Sequence, residues 1–378
     1  MIKSPDITII GGGVIGLLTA REFFNAGATV TVIEKNSLGQ ESSWAGGGIL
    51  MPLYPWRQAD AITRLTLQSL GLYPNLAAQL LADTQKDPEW TQCGILITKN
   101  PDYPAAVNWC KTNNIPFEAA GSAFFDTLNT TPDHPLWLPT IAQARNPRLV
   151  KSLKQDLINK GITLIEQCEL LDVILDKNRI THIKTSTGLL PVKQLIISAG
   201  AWTGSLFKRL FPELAQAPKV APVKGQMLIF DAHPDTLRTM VLDGDHYLIP
   251  RRDGKILAGS TVEQDGFNKR ISQTAKERLT DFALTLLPAL KKAPLIHHWA
   301  GLRPGTQEGV PYIDQHPEIV NLSINAGHFR NGLIMGPASA QLMVDLILKR
   351  PTAVDPEPYQ LKSHEQRAKA APLESIIA

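Results

Sequence analysis

Residues 7–34 constrain the fold of this chain more than any other part of the sequence. An apolar run at 7–10 leads directly into a G-x-G-x-x-G turn at 11–16, and a helical pattern continues to Gly27. A second apolar run then ends at Glu34. A strand, a glycine-rich turn, a helix and a strand ending on an acid together make the βαβ unit that binds a dinucleotide. The sequence therefore predicts an α/β fold of the Rossmann type.

The residues of this unit have separate expected roles. Gly11 permits the tight turn, Gly13 lets the backbone approach a pyrophosphate, and Gly16 lets the helix pack closely on the strand. The N–H groups at the helix N-terminus would face the phosphates. Glu34 stands where a carboxylate can accept hydrogen bonds from an adenosine ribose. The alternative is a glycine-rich turn in an unrelated α/β protein.

Composition argues against several other classes of protein. A formal net charge of +3 over 378 residues does not indicate nucleic-acid binding. Three widely spaced cysteines predict neither a disulfide framework nor a metal site. No run approaches the roughly 18 apolar residues of a membrane span, and the apolar start reads as the first strand rather than as a signal peptide. We expect a cytoplasmic protein without a transmembrane segment, and peripheral membrane contact stays open.

Nucleotide-type strand–turn–helix patterns recur near residues 195–210 and near 323–349. In the first of these the turn contains Ala199 and Gly200, which we expect to contact the cofactor where the sheet meets the ligand. Proline-rich and strand-rich stretches separate them. This interleaving predicts an α/β architecture with a discontinuous Rossmann-like nucleotide-binding domain and an interleaved, strand-rich α+β substrate domain. We assign residues 1–85, 141–217 and 323–378 to the first domain, and residues 86–140 and 218–322 to the second.

Periodicity and start signals also predict individual helices. They cover residues 59–83, about 146–160, about 273–287 and, opened by Pro337, about 337–349. Three consecutive glycines at 46–48 cannot sit inside a stable helix and suit backbone that lies flat against a ligand. Ser42 and Ser43 add small hydroxyl groups beside them.

With these motifs the chain resembles the flavin-dependent D-amino-acid oxidase family, most closely its glycine oxidase branch, which is linked to thiamine thiazole synthesis. The likeness runs from about residue 5 to about residue 350. The matching pieces are the turn at 11–16 with Glu34, the loop at 42–49, and the blocks Val223-Lys224-Gly225-Gln226, Tyr247-Leu248-Ile249-Pro250-Arg251, Trp299-Ala300-Gly301-Leu302-Arg303-Pro304-Gly305-Thr306 and Gly327-His328-Phe329-Arg330-Asn331-Gly332.

The resemblance implies FAD, which we expect to be held non-covalently. Residues matching its adenosine, pyrophosphate and ring contacts are Val14, Ile15, Glu34, Lys35, Ser42, Ser43, Gly47, Gly48 and Ile49. Val173 matches the residue whose backbone meets the adenine. The closing turn that faces the flavin pyrimidine edge matches His328, Phe329, Arg330, Asn331, Gly332, Leu333 and Ile334.

The resemblance also implies the substrate contacts. Arg303 matches the arginine that grips a carboxylate, Tyr247 its hydroxyl partner, and Arg330 a second arginine near the pocket. Met51 replaces a glycine of some glycine oxidases and would reshape the pocket rim. The plainer alternatives are that Arg303 forms a surface ion pair and that Tyr247 is a core residue. Adjacent His297 and His298 point to opposite faces of a strand, so we predict no metal site.

The implied activity is oxidative deamination of glycine or other small or D-amino acids. A hydride passes from Cα to flavin N5, and the products are a 2-oxo acid, ammonia and H₂O₂. The nearest alternative is a D-amino-acid dehydrogenase that passes electrons to a quinone or another carrier instead of O₂. A non-catalytic nucleotide-binding protein and a nicotinamide dehydrogenase are further alternatives. No residue is assigned as acid or base, and a homo-oligomer is compatible with the sequence.

Overall fold

The computed structural model describes residues 5–362 and contains helices and strands throughout that range. The strands are β1 (Ile7–Ile10), β2 (Val30–Ile33), β3 (Thr91–Gln92), β4 (Ile95–Ile97), β5 (Glu118–Ala119), β6 (Leu136–Leu138), β7 (Ala142–Gln143), β8 (Thr163–Ile165), β9 (Leu170–Asp176), β10 (Arg179–Thr185), β11 (Gly188–Pro191), β12 (Gln194–Ile197), β13 (Ala221–Asp231), β14 (Met240–Asp243), β15 (His246–Pro250), β16 (Lys255–Gly259), β17 (Leu295–Gly305), β18 (Tyr312–Gln315) and β19 (Leu322–Ala326). The helices are α1 (Val14–Asn25), α2 (Ser42–Ala45), α3 (Asp60–Thr84), α4 (Tyr103–Thr112), α5 (Asn146–Asn159), α6 (Thr203–Leu210), α7 (Gln273–Leu286) and α8 (Gly332–Ile347).

A six-stranded sheet in the order β18-β19-β12-β1-β2-β8 carries the nucleotide-binding motifs. Strand β1 runs parallel to β2 and to β12, with Ile9 opposite Val32 on one side and Ile196 on the other. Strands β1, β12 and β19 all lead into glycine-containing turns, which therefore meet at the same sheet edge. In open α/β sheets a ligand binds outside this carboxyl edge. The α/β fold class is confirmed.

Strand β18 belongs to the six-stranded sheet, since it pairs antiparallel with β19. The predicted substrate segment 218–322 included β18. Its end at residue 322 was therefore wrong, because β18 pairs with a strand of the six-stranded sheet. The physical reason is local: a short connection brings β18 back beside β19, and His316 N–H donates to Leu322 O over 2.8 Å. The remaining domain bounds stay a prediction. Their ends, 1–4 and 363–378, lie outside the described residues.

A second, eight-stranded sheet has the order β17-β13-β16-β15-β14-β4-β6-β5. Its strands come from the segments 95–138 and 221–305, so this sheet, like the first, is assembled from separated stretches of chain. The long strands β13 and β17 pair antiparallel, with Gly225 opposite Gly301 and Val223 opposite Arg303. Strand β15 carries Tyr247 in the same sheet. Two of the four residues predicted to bind substrate, Tyr247 and Arg303, therefore come from the same sheet.

Three helices lie within one residue of the predicted bounds, namely α3, α5 and α7. Helix α8 instead begins at Gly332, five residues before the predicted start at Pro337. Pro337 has no N–H for the carbonyl of Leu333, one turn earlier. The Tyr73 hydroxyl donates to that carbonyl, so the helix continues through the proline. Within residues 5–362 no helix is long and apolar enough to span a membrane.

Candidate active site

A cavity of about 610 Å³ runs along the carboxyl edge of the six-stranded sheet and reaches strands β13, β15 and β17 of the other sheet. The predicted cofactor residues that line it are Gly11, Gly13, Val14, Ile15, Glu34, Lys35, Ser42, Ser43, Gly47, Gly48, Ile49, Ala199, Gly200, His328, Phe329, Arg330, Asn331, Gly332 and Leu333. The predicted substrate residues Met51, Tyr247, Arg303 and Arg330 line it as well. Residues from widely separated segments thus share one cavity.

Three predicted cofactor residues do not line the cavity. Gly16 lies against the strand: a Cβ there would sit 2.0 Å from the Gly11 carbonyl oxygen. Ile334 lies in the first turn of α8 and is buried in the hydrophobic core. Val173 pairs with Ile183 inside the sheet of β9, β10 and β11. Residues 168–170, just before it, line the cavity in its place.

The Glu34 carboxylate organises the turn after β1. One of its oxygens accepts from Gly12 N–H over 2.8 Å, and the other accepts from Asn36 N–H over 2.9 Å. Gly11 has φ +109°, and a Cβ there would lie 2.3 Å from the Ser198 carbonyl oxygen. Only glycine fits this position. The ends of β1 and β12 are therefore drawn together beside the N-terminus of α1.

The glycine loop after α2 is held from behind by Arg251. Its Nη2 donates to the Gly47 carbonyl over 2.7 Å, and its Nη1 donates to the Gln143 side chain. Gly48 has φ +89°, and a Cβ there would lie 2.0 Å from the Ala144 carbonyl oxygen. Burial lowers the pKa of the Arg251 guanidinium to about 10, so it stays charged at neutral pH. The loop backbone is fixed in place and exposed toward the cavity.

Arg303 projects from β17 across the backbone of β13. Its Nη1 donates to the carbonyls of Lys224 and Thr261 at 3.3 and 3.1 Å, and its Nη2 donates to Ser260 Oγ at 2.8 Å. Burial, with a smaller effect from the positive charge of Arg330, lowers the pKa of Arg303 to about 10. The guanidinium is therefore charged and held in one orientation.

The surroundings of Arg303 combine a second cation with apolar surface. Arg330 makes no side-chain hydrogen bond or ion pair with any residue between 5 and 362, which leaves its guanidinium available to an anion. Tyr247 is buried, with its hydroxyl 3.9 Å from Met227 Sδ. Met51 is only 3% exposed and lines the same cavity. This end can bind a carboxylate beside an apolar wall.

Three buried polar atoms of the cavity lining lack a partner within the described part of the chain. They are Asn146 Oδ1, Ser198 Oγ and Asn325 Oδ1. A buried polar atom without a hydrogen bond costs free energy. Each of the three can accept a hydrogen bond, so the cavity suits a ligand that carries hydroxyl or N–H donors along its length.

Comparison with known proteins agrees with this geometry. The model of the DAO family, described as FAD dependent oxidoreductase, matches residues 6–346. The chain belongs to this family. It is 43% identical over 361 residues to the glycine oxidase of Pseudomonas putida, a match that covers 94% of this chain and 98% of the relative. The glycine oxidase of Pseudomonas aeruginosa is 42% identical, with the same coverage.

The crystal structure of glycine oxidase from Geobacillus kaustophilus has the same fold, with a TM-score of 0.87 and 28% sequence identity. The likeness covers 95% of this chain and 98% of that one. Like other members of the DAO family, this protein is an FAD-dependent oxidoreductase. The prediction of FAD from the sequence is confirmed.

The cavity lining fits FAD. Its ribityl and ribose hydroxyls would offer hydrogen-bond donors to oxygens such as those of Asn146, Ser198 and Asn325. Glu34, the N-terminus of α1 and the backbone at 47–48, which lines the cavity, would hold the ribose, the pyrophosphate and the ring. FAD supplies a two-electron acceptor at the flavin ring.

His328 begins the closing turn and is 1% exposed. Its Nε2 lies 3.0 Å from Ser339 Oγ. Burial lowers the pKa of His328 to about 3, so the ring is neutral at physiological pH. It contributes a fixed polar contact to the turn and carries no charge toward the cavity.

Several lining residues were not assigned a role from the sequence. Asn146, Trp202, Gly225, Met227 and Lys269 all line the cavity. Gly225 lies within one of the sequence blocks that match the family, and that match could have identified it as a site residue. Asn146 was visible only as the start of a helix. Among residues 5–362, no group of three or more His, Cys, Asp or Glu is placed to bind a metal.

Proposed function

We propose that this protein oxidises glycine or another small or D-amino acid to the 2-oxo acid and ammonia. The observation that carries the proposal is the Arg303 guanidinium, charged, oriented and placed in the cavity that holds the glycine loop at 47–48. The names of the relatives in Pseudomonas support glycine in particular. Met51 adds a bulky side chain at this end of the cavity.

The residues of the chain bind and orient the substrate. Arg303 pairs with the carboxylate, because a planar guanidinium offers parallel N–H groups to two oxygens. Arg330 adds positive charge, and Tyr247 offers a hydroxyl beside Arg303. With the carboxylate fixed, Cα is held in one position relative to the ring-binding loop, which turns an encounter into an oriented complex. Met51 and Met227 exclude water on one side.

The amine must lose its proton before Cα gives up a hydride. His328 is neutral and bonded to Ser339, and no lining residue is assigned as the acceptor of that proton. We propose that water takes it. The imine then hydrolyses, and the overall balance is amino acid plus O₂ plus water to 2-oxo acid, ammonia and H₂O₂.

Aerobic turnover tests this function and its alternative together. The purified protein is incubated in air with glycine, sarcosine or D-alanine. The 2-oxo acid (glyoxylate or pyruvate), H₂O₂ and the released amine are measured; the amine is ammonia from glycine and D-alanine and methylamine from sarcosine. We expect H₂O₂ equal to the 2-oxo acid formed. Turnover that requires an added dye or quinone, without H₂O₂, would identify a dehydrogenase. No turnover with any amino acid in either assay would contradict the proposal.

We also propose that the protein works in the cytoplasm, on the support of its three free cysteines, Cys93, Cys110 and Cys168. A homo-oligomer stays a prediction, which the mass from light scattering after size-exclusion chromatography tests.

A further inference from the structure

We propose that the loop formed by residues 264–270, called the strap below, retains FAD in its cavity by two contacts made by Phe267 and Lys269. The strap follows β16 of the eight-stranded sheet. It reaches the connections that follow β2 and β12 of the six-stranded sheet. Its partners there are Trp202 and Glu41. The proposal depends on the FAD site and is independent of which amino acid is oxidised.

The first contact is an ion pair at the cavity wall. Lys269 Nζ lies 2.9 and 3.0 Å from the two carboxylate oxygens of Glu41. Both side chains line the cavity, and Glu41 directly precedes Ser42 and Ser43. Ser43 Oγ in turn accepts from Val14 N–H at the start of α1 over 2.8 Å. Lys269 therefore attaches the strap to the phosphate-binding end of the motif.

The second contact is aromatic. The rings of Phe267 and Trp202 stack at 5.6 Å between centroids with 26° between planes. Trp202 lines the cavity and belongs to the turn that follows β12. Phe267 is 45% exposed and lies in an otherwise polar loop, Asp265-Gly266-Phe267-Asn268-Lys269-Arg270. Its packing is therefore directed at the nucleotide-binding side rather than at a core of its own sheet.

The strap has a fixed base. Lys224 is 3% exposed, and its Nζ lies 2.8 Å from both Glu263 and Asp265 and 3.3 Å from the Arg270 carbonyl. These bonds close both ends of the strap on β13. The Lys224 carbonyl also accepts from Arg303. Because both ends of the strap are bonded to β13, only its tip, which carries Phe267 and Lys269, contacts the cavity wall.

The charges at the tip explain why its loss would release FAD. Glu41 is negative and lines the cavity, and a pyrophosphate held at the N-terminus of α1 would place further negative charge in the same cavity. Lys269 neutralises Glu41, and without it the carboxylate would repel the cofactor. Phe267 covers Trp202 on the same side. Breaking either contact should therefore speed FAD release while the base of the strap stays bonded.

The test is the rate constant for FAD dissociation from the holoenzyme. The protein is diluted, and the fluorescence of released FAD is followed without substrate. Lys269→Glu should raise the rate about 2- to 10-fold, since it removes an ion pair and adds a like charge. Phe267→Ala should raise it about 2- to 10-fold by removing one aromatic pair.

Two further variants make the result specific. Arg270→Glu is the matched control, because it makes the same charge reversal one residue away and the Arg270 side chain has no bond to another described residue. It should dissociate like the wild type. The exchange Glu41→Lys with Lys269→Glu should return the rate to within about 2-fold of the wild type. Wild-type rates in Lys269→Glu and Phe267→Ala, equal acceleration in Arg270→Glu, or an exchange variant as fast as Lys269→Glu would each overturn the proposal.

Discussion

The guanidinium of Arg303 lies against the α-carbon of Gly225, so closely that a Cβ at Gly225 would be 2.2 Å from Nη2. The same Cβ would lie 2.3 Å from Nη1 and 2.4 Å from Cζ. The pairing of β13 with β17 fixes this contact, since Val223 stands opposite Arg303. The absence of a side chain at Gly225 therefore leaves the space that this position of the Arg303 guanidinium requires.

Gly225→Ala should displace that guanidinium. We expect kcat/KM for glycine to fall about 10- to 100-fold, because the carboxylate loses its oriented partner. FAD content should remain at the wild-type level. Gly71→Ala is the control, since a Cβ there meets nothing within 4 Å. Unchanged kcat/KM in Gly225→Ala would show that the guanidinium moves freely or does not bind substrate.

Glu34→Gln should weaken FAD binding. The carboxylate accepts from Gly12 and Asn36 and lines the cavity, so the substitution removes charge both from the turn and from the expected ribose contact. Loss of a hydrogen bond to a charged group costs about 1.5–3 kcal/mol, which raises Kd about 10- to 150-fold. Titration of the apoprotein with FAD measures this. Kinetic constants at saturating FAD should change much less, and an unchanged Kd would remove Glu34 from the site.

His328 should make stability depend on pH. Its pKa is about 3 in the folded protein because of burial, against 6.5 for an ordinary histidine. The unfolded chain therefore binds more protons between pH 6.5 and 3, and the stability present above pH 6.5 is lost as the pH falls through this window. The free energy of unfolding should change by at most about 1.4 kcal/mol per pH unit because of this group.

Chemical unfolding of wild type and His328→Gln at several pH values measures this contribution. The substitution should lower the free energy of unfolding at pH 7. It should also make that free energy fall less as the pH is lowered. Parallel curves for the two proteins would show that His328 does not contribute to the dependence.

FAD should be released by acid. No feature of the sequence points to covalent attachment, and the described lining offers hydrogen bonds and backbone contacts. After acid precipitation we expect the yellow colour in the supernatant and FAD, not FMN, on chromatography. Flavin that stays in the pellet would contradict this.

Local patterns predicted much of the fold. The turn at 11–16 and the helices α3, α5 and α7 follow from glycine positions and periodicity within short windows. The start of α8 did not, because Pro337 reads as a helix start unless Tyr73 is known to bond the Leu333 carbonyl. That hydroxyl comes from α3, so no residue near Pro337 in the sequence indicates the bond.

Contacts between distant segments could not be predicted from single residues. Lys269 and Glu41 are 228 positions apart, and only the packing of the two sheets brings them together. The contact of the Val173 backbone with the adenine stays a prediction. Its strand pairs with β10 with register shifts at Ile180/His182 and Lys184/Thr185, which the sequence of either strand does not indicate.

The most direct test of the account is anaerobic mixing of the FAD-loaded protein with glycine, followed by visible absorbance. Wild-type flavin should bleach. Arg303→Ala should keep its FAD but bleach about 30-fold to several thousand-fold more slowly at the same glycine concentration, since a buried carboxylate partner contributes about 2–5 kcal/mol. Arg303→Lys should fall between them. If Arg303→Ala bleaches as fast as the wild type, Arg303 does not anchor the substrate and Arg330 becomes the better candidate.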